Sequence, residues 1–315
     1  MFAKTFEKFS YTSAGISTFL LLGISYYYTT LDISWSLFES KIINGILIFG
    51  SLMLSNYAID TVTRQLTIER SNRNAYHLLL YPLIVISYPV ESIDMRFILS
   101  SAAIWAAWRN VRIFFELTNN TKKIKRLFDA CVLLSFSSLI IVENLIIFAY
   151  PLLALITSNI KRDFKHYITI FMTPIIILPS AYVLLSFLSL DSYLFSSYFF
   201  GDQLQMLDEI KFILPTSYIP VSIVFVLYII SIILKFNRSS GLQRRILDFV
   251  GVVFFILTSY FFSMNQELSG SEFHYLSLIL VYFISQIFVK KIKSSYVNFI
   301  FIVLIASIVT FNFLI

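Results

Sequence analysis

The sequence predicts an all-α protein, a polytopic transmembrane helix bundle of about eleven spans with a cytoplasmic N-terminus and a periplasmic C-terminus. Three observations support this prediction: the composition, the spacing of the apolar runs and the distribution of basic residues. Apolar residues make up 58% of the 315 residues, charged residues 13%, and the mean hydropathy is +0.80. Soluble domains carry about 25% charged residues. We therefore expect one integral membrane domain over residues 1–315, and not a soluble enzyme, a disordered chain or a disulfide scaffold.

Apolar runs separated by short polar segments define the predicted spans, since a membrane helix needs about 20 mostly apolar residues. The first run carries Tyr26, Tyr27 and Tyr28 at its end, where a cleaved signal peptide would have small residues, so it is predicted to stay as a span. The predicted spans are 12–30, 42–60, 75–90, 97–110, 129–142, 145–160, 167–188, 213–234, 246–264, 275–289 and 295–315.

The stretch 129–160 allows two interpretations, because only Glu143 and Asn144 interrupt it near the middle. It could be one long tilted helix, or two short spans joined in a tight hairpin. Basic residues precede it at Arg126 and follow it at Lys161 and Arg162. One helix would place these two basic groups on opposite sides of the membrane, so the hairpin is the predicted form.

Basic residues fall almost entirely on one side of the predicted bundle. Of the 24 Lys and Arg residues, all but Lys41, Arg96 and Lys211 lie in the N-terminal segment or in alternate loops after it. Cytoplasmic loops are enriched in Lys and Arg, so this side is predicted to be the cytoplasm. With eleven spans, Ile315 then lies outside. The localisation that follows is a bacterial inner (cytoplasmic) membrane, crossed many times.

The segment 109–128 is predicted to be an amphipathic helix on the cytoplasmic membrane surface. Arg112, Lys122 and Arg126 alternate there with apolar residues such as Phe114 and Leu117. The predicted partners are therefore the lipid bilayer and its anionic headgroups at the cytoplasmic face. The net charge of +6 is explained by these membrane-flanking residues, so no nucleic-acid partner is predicted.

Motifs for nucleotide, metal or nucleophilic chemistry do not occur in the sequence. It contains no Gly-rich phosphate loop, no HExxH and no CxxC, and its single cysteine is Cys131. His77, His166 and His274 are far apart and assigned to different membrane sides. We therefore predict no metal site and no cofactor, and interpret Cys131 as a small apolar core residue.

Three charged residues are the candidate catalytic residues. Asp32 directly follows the first span, and membrane glycosyltransferases that use polyprenyl-phosphate sugars place an acid at this point as a base or metal ligand. Arg96 lies in an outer loop, where a cation could hold the lipid phosphate. Glu143 is the deepest acidic residue, at the tip of the predicted hairpin, where a solvated turn is the competing interpretation.

The longest outer loop, 189–212, is predicted to contain a surface helix that serves as an interaction site. Leu204, Leu207 and Ile210 recur at three-residue spacing with Phe212 beside them, and polar residues occupy the other positions. Partners could also approach closely at small residues on the helices. These are Gly15, Gly45, Gly50 and Gly251.

The basic run KKIKRLFD at 122–129, the hairpin after it and the charged segment KRDFKH at 161–166 resemble an uncharacterised family of multi-pass inner-membrane proteins of about 300 residues from Bacteroidota. The resemblance covers roughly residues 100–190 and implies no activity and no site residue. The general layout of short spans and short outer loops is similar to the lipid-linked glycosyltransferase superfold.

Three functions compete on this basis. The leading one is a non-catalytic multi-pass subunit of a bacterial envelope assembly, secretion or motility complex, which would bind other membrane proteins through its helix surfaces. The alternative is a polyprenyl-phosphate-dependent, lipid-linked sugar glycosyltransferase. The third is a channel or transporter, for which proline-kinked helices would frame the site. The prolines concerned are Pro174, Pro179, Pro215 and Pro220.

Overall fold

The computed structural model describes residues 5–7, 9–65, 75–157, 163–187, 218–236, 270–288 and 294–311. In these ranges the protein is mostly helical, with ten α-helices, which confirms the all-α prediction. The α-helices are α1 Tyr11–Thr30, α2 Lys41–Gln65, α3 Tyr76–Ile86, α4 Met95–Glu116, α5 Asn120–Ile140, α6 Ala149–Thr157, α7 Phe164–Phe187, α8 Ile219–Phe236, α9 Ser277–Ile287 and α10 Ser294–Val309. Two 3₁₀ helices, Val142–Phe148 and Ser271–Tyr275, and two short strands, β1 Asp32–Trp35 and β2 Ser92–Asp94, complete these ranges.

Every predicted span that falls in the described ranges overlaps one of these helices, but few helices have spanning length. Only Lys41–Thr63 and Phe164–Phe187 are both long and apolar enough to cross a membrane among the described residues. Helix α3 has 11 residues, about 16 Å of helix against a bilayer core of about 30 Å. The count of about eleven spans is therefore not reproduced, because an apolar run does not guarantee an unbroken helix. The ninth predicted span, 246–264, lies outside the described residues.

The chain divides into two compact units. The first contains α1–α3, both strands, the 3₁₀ helix Ser271–Tyr275 and α8–α10. The second contains α4 from Arg96 onward, α5, the 3₁₀ helix Val142–Phe148, α6 and α7. The single membrane domain over 1–315 stays a prediction.

Small polar residues cap helix α1 and bond it to helix α2 in the first unit. Helix α1 begins with a capping box, in which the Ser10 hydroxyl accepts the Ser13 amide and the Ser13 hydroxyl accepts the Ser10 amide. The Ser25 hydroxyl donates to the carbonyl oxygen of Gly45 at 2.8 Å. A Cβ on Gly45 would lie 3.0 Å from Thr29 Cγ2, so this glycine serves internal packing.

Helix α3 lies at the centre of the first unit, with ten of its eleven residues buried. Helix α9 runs antiparallel along it, since Tyr88 contacts Ser277 at one end and the rings of Tyr76 and Phe288 lie 5.4 Å apart at the other. A helix that is apolar on all sides needs such cover on every face. The short α3 is thus a core helix of the unit.

The chain reverses direction within 129–160 in the second unit, as the predicted hairpin requires, and the membrane crossing of its two arms stays a prediction. Helix α5 ends at Ile140, and the Asn144 amide donates to Ser137 Oγ at 2.8 Å, which turns the chain back on itself. The starts of α5 and α7 lie side by side, because Asn120 Nδ2 donates to Asp163 Oδ2 at 2.9 Å. The segment between the two helices must therefore return to the end where α5 began.

The single surface helix expected over 109–128 is wrong. Helix α4 continues through Glu116, and α5 begins at Asn120 after a short break. The side chain of Asn119 accepts the amide of Thr121 at 3.0 Å, which starts a new helix. Arg112 and Phe114 are buried, so this part of α4 belongs to the packed unit and not to the membrane surface.

The core of the second unit is an apolar cluster contributed by four helices. Its members are Phe114, Leu127, Cys131, Leu155 and Ile170. Cys131 is a buried free thiol, as the sequence predicted for a core residue. Trp105 and Trp108 are buried as well.

Candidate functional site

The structure describes all three candidate catalytic residues. Asp32 is the first residue of β1 and is exposed. Arg96 is half-buried at the start of α4, in the second unit. Glu143 is half-buried in the first turn of the 3₁₀ helix Val142–Phe148, directly after the hairpin turn. Asp32 thus belongs to the first unit, and Arg96 and Glu143 belong to the second.

The surroundings of Asp32 are ordered by a pair of strands that the sequence did not predict. Strands β1 and β2 pair in parallel, with Asp32 opposite Ser92. The Ser34 hydroxyl adds a hydrogen bond of 3.2 Å to the carbonyl oxygen of Ile93. The pair joins the segment after the first predicted span to the segment after the third predicted span.

A third segment lies against β2. The amide of Asp94 donates to Ser271 Oγ at 3.1 Å, and the Ser271 hydroxyl donates to the carbonyl oxygen of Ser92, also at 3.1 Å. One side chain thus satisfies a donor and an acceptor of a short strand, as a neighbouring strand would. Gly270, with φ 84°, brings the chain into this position.

His274 is enclosed by two tyrosines in the first unit. Its ring stands edge-on to Tyr28 and Tyr88, with centroid distances of 5.8 and 5.5 Å. The Tyr28 hydroxyl lies 3.3 Å from His274 Nε2 and donates to the carbonyl oxygen of Val85. Burial lowers the pKa of His274 to about 3, so the imidazole is neutral at physiological pH.

The buried polar and aromatic residues around His274 are called the outer polar cluster. The name follows from the sequence-based prediction that their three segments lie on the outer side of the membrane. The members of the cluster are Tyr28, Tyr88, Asp94, Ser271, Glu272 and His274. Asp94 and Glu272 are 2% and 1% exposed, so both carboxyl groups are inside the protein. The sequence assigned no role to any of these residues, although the Ser-Gly-Ser-Glu run before His274 marks a turn on the predicted outer side.

The other two histidines have neighbours inside their own units. His77 Nε2 lies 2.9 Å from Asp60 Oδ1, between α3 and α2. His166 Nε2 lies 3.2 Å from Asn120 Oδ1, between α7 and α5. Among the described residues, no three or more His, Cys, Asp or Glu side chains are grouped to hold a metal ion.

A small cavity in the second unit is lined by aromatic side chains of α4 and α6. The rings of Trp105 and Trp108 lie 5.6 Å apart, and Tyr150 lies 5.6 Å from Trp108. The open space is about 10 Å³, which is room for about one water molecule. It cannot hold a sugar or a lipid chain.

The predicted interaction residues Leu204, Leu207, Ile210 and Phe212 lie outside the described residues, as does Gly251. Gly15 and Gly50 lie in open positions on α1 and α2, where a Cβ would meet nothing within 4 Å.

In the part of the chain that the structure describes, fold and site define a mostly helical protein with two helices of membrane-spanning length and composition, which supports association with a membrane. No family model, curated protein or solved structure matches the chain. The resemblance to the Bacteroidota membrane family therefore stays a prediction.

Proposed function

We propose that the protein is a non-catalytic, multi-pass subunit of an envelope assembly, secretion or motility complex in a bacterial inner membrane. The observation that carries this proposal is the apolar surface of α7. This helix has spanning length, and its buried residues are His166, Ile170 and Thr173, all in its first half. The second half offers only exposed or half-buried side chains, so it suits lipid or a partner helix.

The side assignment that underlies this proposal is supported by contacts within the first unit. Phe6 accepts a hydrogen bond of 2.8 Å from the amide of Ala75, and the sequence assigns both to the cytoplasmic side. Ser271 contacts Asp94, and the sequence assigns both to the outer side. In the second unit, the adjacent starts of α5 and α7 are likewise both assigned to the cytoplasm.

The chemical groups also favour a structural role over catalysis. Each of the three histidines contacts a neighbour within its own unit, and Asp94 and Glu272 are buried in the outer polar cluster. Groups committed to internal contacts hold loops and helices together. What α7 presents outward is an apolar helix surface, and a subunit that assembles with other membrane proteins needs such a surface.

Ile176→Trp is expected to remove a copurifying membrane partner while the protein still accumulates. Ile176 is 62% exposed on the second half of α7, so a larger side chain is tolerated by lipid but obstructs a closely docked helix. The measurement is purification of the tagged chain in mild detergent, followed by quantitative mass spectrometry. We expect at least a roughly tenfold loss of partner, about 1.4 kcal/mol of binding free energy.

Ile302→Trp is the matched control, because Ile302 is 58% exposed on α10. It should leave partner recovery unchanged. A wild-type protein that purifies without a stoichiometric membrane partner would contradict the proposed function. An Ile176→Trp variant that copurifies with as much partner as the wild type would contradict it as well.

A second candidate function, transfer of a sugar from a polyprenyl phosphate, is favoured by one observation. Asp32 and Glu91 are both exposed, on segments that β1 and β2 bring together at the outer end of the first unit. Two neighbouring carboxylates can divide the roles of base and metal ligand.

Under this second candidate, Asp32→Asn is expected to abolish sugar transfer, by about 100-fold or more, because the amide cannot accept a proton. The assay is release of polyprenyl phosphate from a labelled polyprenyl-phosphate hexose by the purified protein. Glu39→Gln, a change at another exposed acid of the same predicted outer loop, is the matched control. A wild-type chain without transfer, or an Asp32→Asn variant with full transfer, would exclude this candidate.

A further inference from the structure

Five basic residues lie at the adjacent starts of α5 and α7, and we call them the basic cap. They are Lys122, Lys123, Lys125, Arg126 and Lys165. All five belong to the second unit. The sequence assigned them to the cytoplasmic side, but did not predict that the two helix starts meet.

The Asn120 side chain holds the two helix starts together. Its amide donates to Asp163 Oδ2 at 2.9 Å, and its oxygen lies 3.2 Å from His166 Nε2. Asp163 also accepts the amide of Lys165 at 3.0 Å. The hydrogen bond from Asn120 holds the pKa of Asp163 below its usual range, so this carboxylate stays ionised and fixed at the helix start.

The side chains of Arg126 and Lys123 have contacts within the second unit. Arg126 Nη1 lies 3.8 Å from Asp129 Oδ2 and 3.4 Å from Asn110 Oδ1. Lys123 Nζ lies 5.8 Å from the centre of the Phe114 ring. Lys122, Lys125 and Lys165 are exposed. Glu116, also exposed, is the acidic residue at the end of α4.

Large apolar side chains are exposed directly beside these lysines. Phe164, next to Lys165, is 75% exposed, and Phe128, just after the basic run of α5, is 45% exposed. A change from exposed aromatic to exposed basic side chains within one or two helical turns is typical of the headgroup level of a bilayer.

We propose that the basic cap binds the headgroups of acidic phospholipids in the cytoplasmic leaflet. Lys122, Lys125 and Lys165 contact the headgroup phosphates, and Phe164 lies at the same level at the start of α7. Phe128, which follows the lysines along α5, enters the region of the acyl chains. This inference rests on the proposed membrane topology and deepens it, because it names the lipid class that the second unit selects. Charge complementarity and the adjoining apolar surface together favour a lipid over a free anion.

The test compares lipid retention by full-length protein reconstituted in nanodiscs that contain phosphatidylglycerol and phosphatidylcholine. After extraction into detergent, the retained lipids are quantified by mass spectrometry. We expect the wild-type chain to retain phosphatidylglycerol preferentially. The triple variant Lys122→Gln, Lys125→Gln and Lys165→Gln should lose this preference by about fivefold or more, since each lysine near an anionic surface contributes appreciable binding.

A second triple variant, Lys290→Gln, Lys291→Gln and Lys293→Gln, removes the same charge elsewhere in the chain and should retain the preference. Equal losses in both variants would overturn the basic cap as a distinct site. Competition by excess inorganic phosphate alone would show an anion site without lipid selectivity and would also overturn it. A chain that does not enter nanodiscs would contradict the proposed membrane function itself, which keeps the two failures distinguishable.

Discussion

Gly270→Ala is expected to destabilise the protein by about 3 kcal/mol. Gly270 has φ 84°, where an L side chain costs about 1–2 kcal/mol. A Cβ there would lie 2.2 Å from the carbonyl oxygen of Pro89 and 2.7 Å from Val90 Cα. Both neighbours are backbone atoms, so they can yield only by moving the chain, and overpacking of this kind costs about 1–3 kcal/mol more.

The consequence extends beyond one contact, because Gly270 positions Ser271 against β2 and His274 between Tyr28 and Tyr88. The measurement is chemical unfolding of the purified protein in detergent, together with the amount of chain that accumulates in membranes. Gly270→Asn separates the cost of the positive φ from the clash of the Cβ with Pro89. Asparagine tolerates a positive φ, but its Cβ still meets Pro89, so it should be destabilised as well.

Gly50→Ala is the control. Gly50 lies inside α2, where a Cβ meets nothing within 4 Å, and alanine is the better helix former by about 1 kcal/mol. We expect this variant to match or exceed the wild-type stability. If Gly270→Ala proved as stable as Gly50→Ala, the close approach of the 3₁₀ segment to Pro89 would be refuted.

A reporter that is active only in the periplasm is expected to be active when fused after Ile315 and silent when fused after Lys161. The physical reason is the concentration of Lys and Arg on one side of the predicted bundle, since basic loops are retained in the cytoplasm. The hairpin between α5 and α6 is the decisive element, because each passage through the membrane reverses the side of every later loop.

A fusion after Ser40, in the first outer loop, should be active whether 129–160 crosses the membrane once or twice, and it therefore validates the assay. If 129–160 crossed the membrane only once, the fusion at Lys161 would be active and the fusion at Ile315 would be silent. That reversed pair would refute the eleven-span topology and, with it, the assignment of the basic cap to the cytoplasmic leaflet.

Much of the fold could be predicted because apolar composition is a local property of the chain. The runs at 12–30, 42–60 and 167–188 became the long helices α1, α2 and α7. Helix continuity was less predictable, since 145–160 is divided between a 3₁₀ helix and the nine-residue α6. Hydropathy averaged over a window reports how apolar a segment is, but not where its backbone hydrogen bonds are interrupted.

The candidate site was predicted only in part. The position of Asp32 directly after an apolar helix followed from the sequence, and the outer side of its loop stays a prediction. Strands of four and three residues are too short to show a period, so the pairing of Asp32 with Ser92 had no sequence signal.

What the sequence by itself determined was which of the described segments are helical, because helix formation depends on residues close together in the chain. The side of the membrane on which each loop lies stays a prediction. Only the tertiary structure decided which of those loops meet. The residues that enclose His274 come from α1 and from the segment after α3. Tyr28, for example, is 246 positions away from His274 in the chain. Contacts over such separations depend on how whole helices pack, and no local pattern of polar and apolar residues specifies that packing.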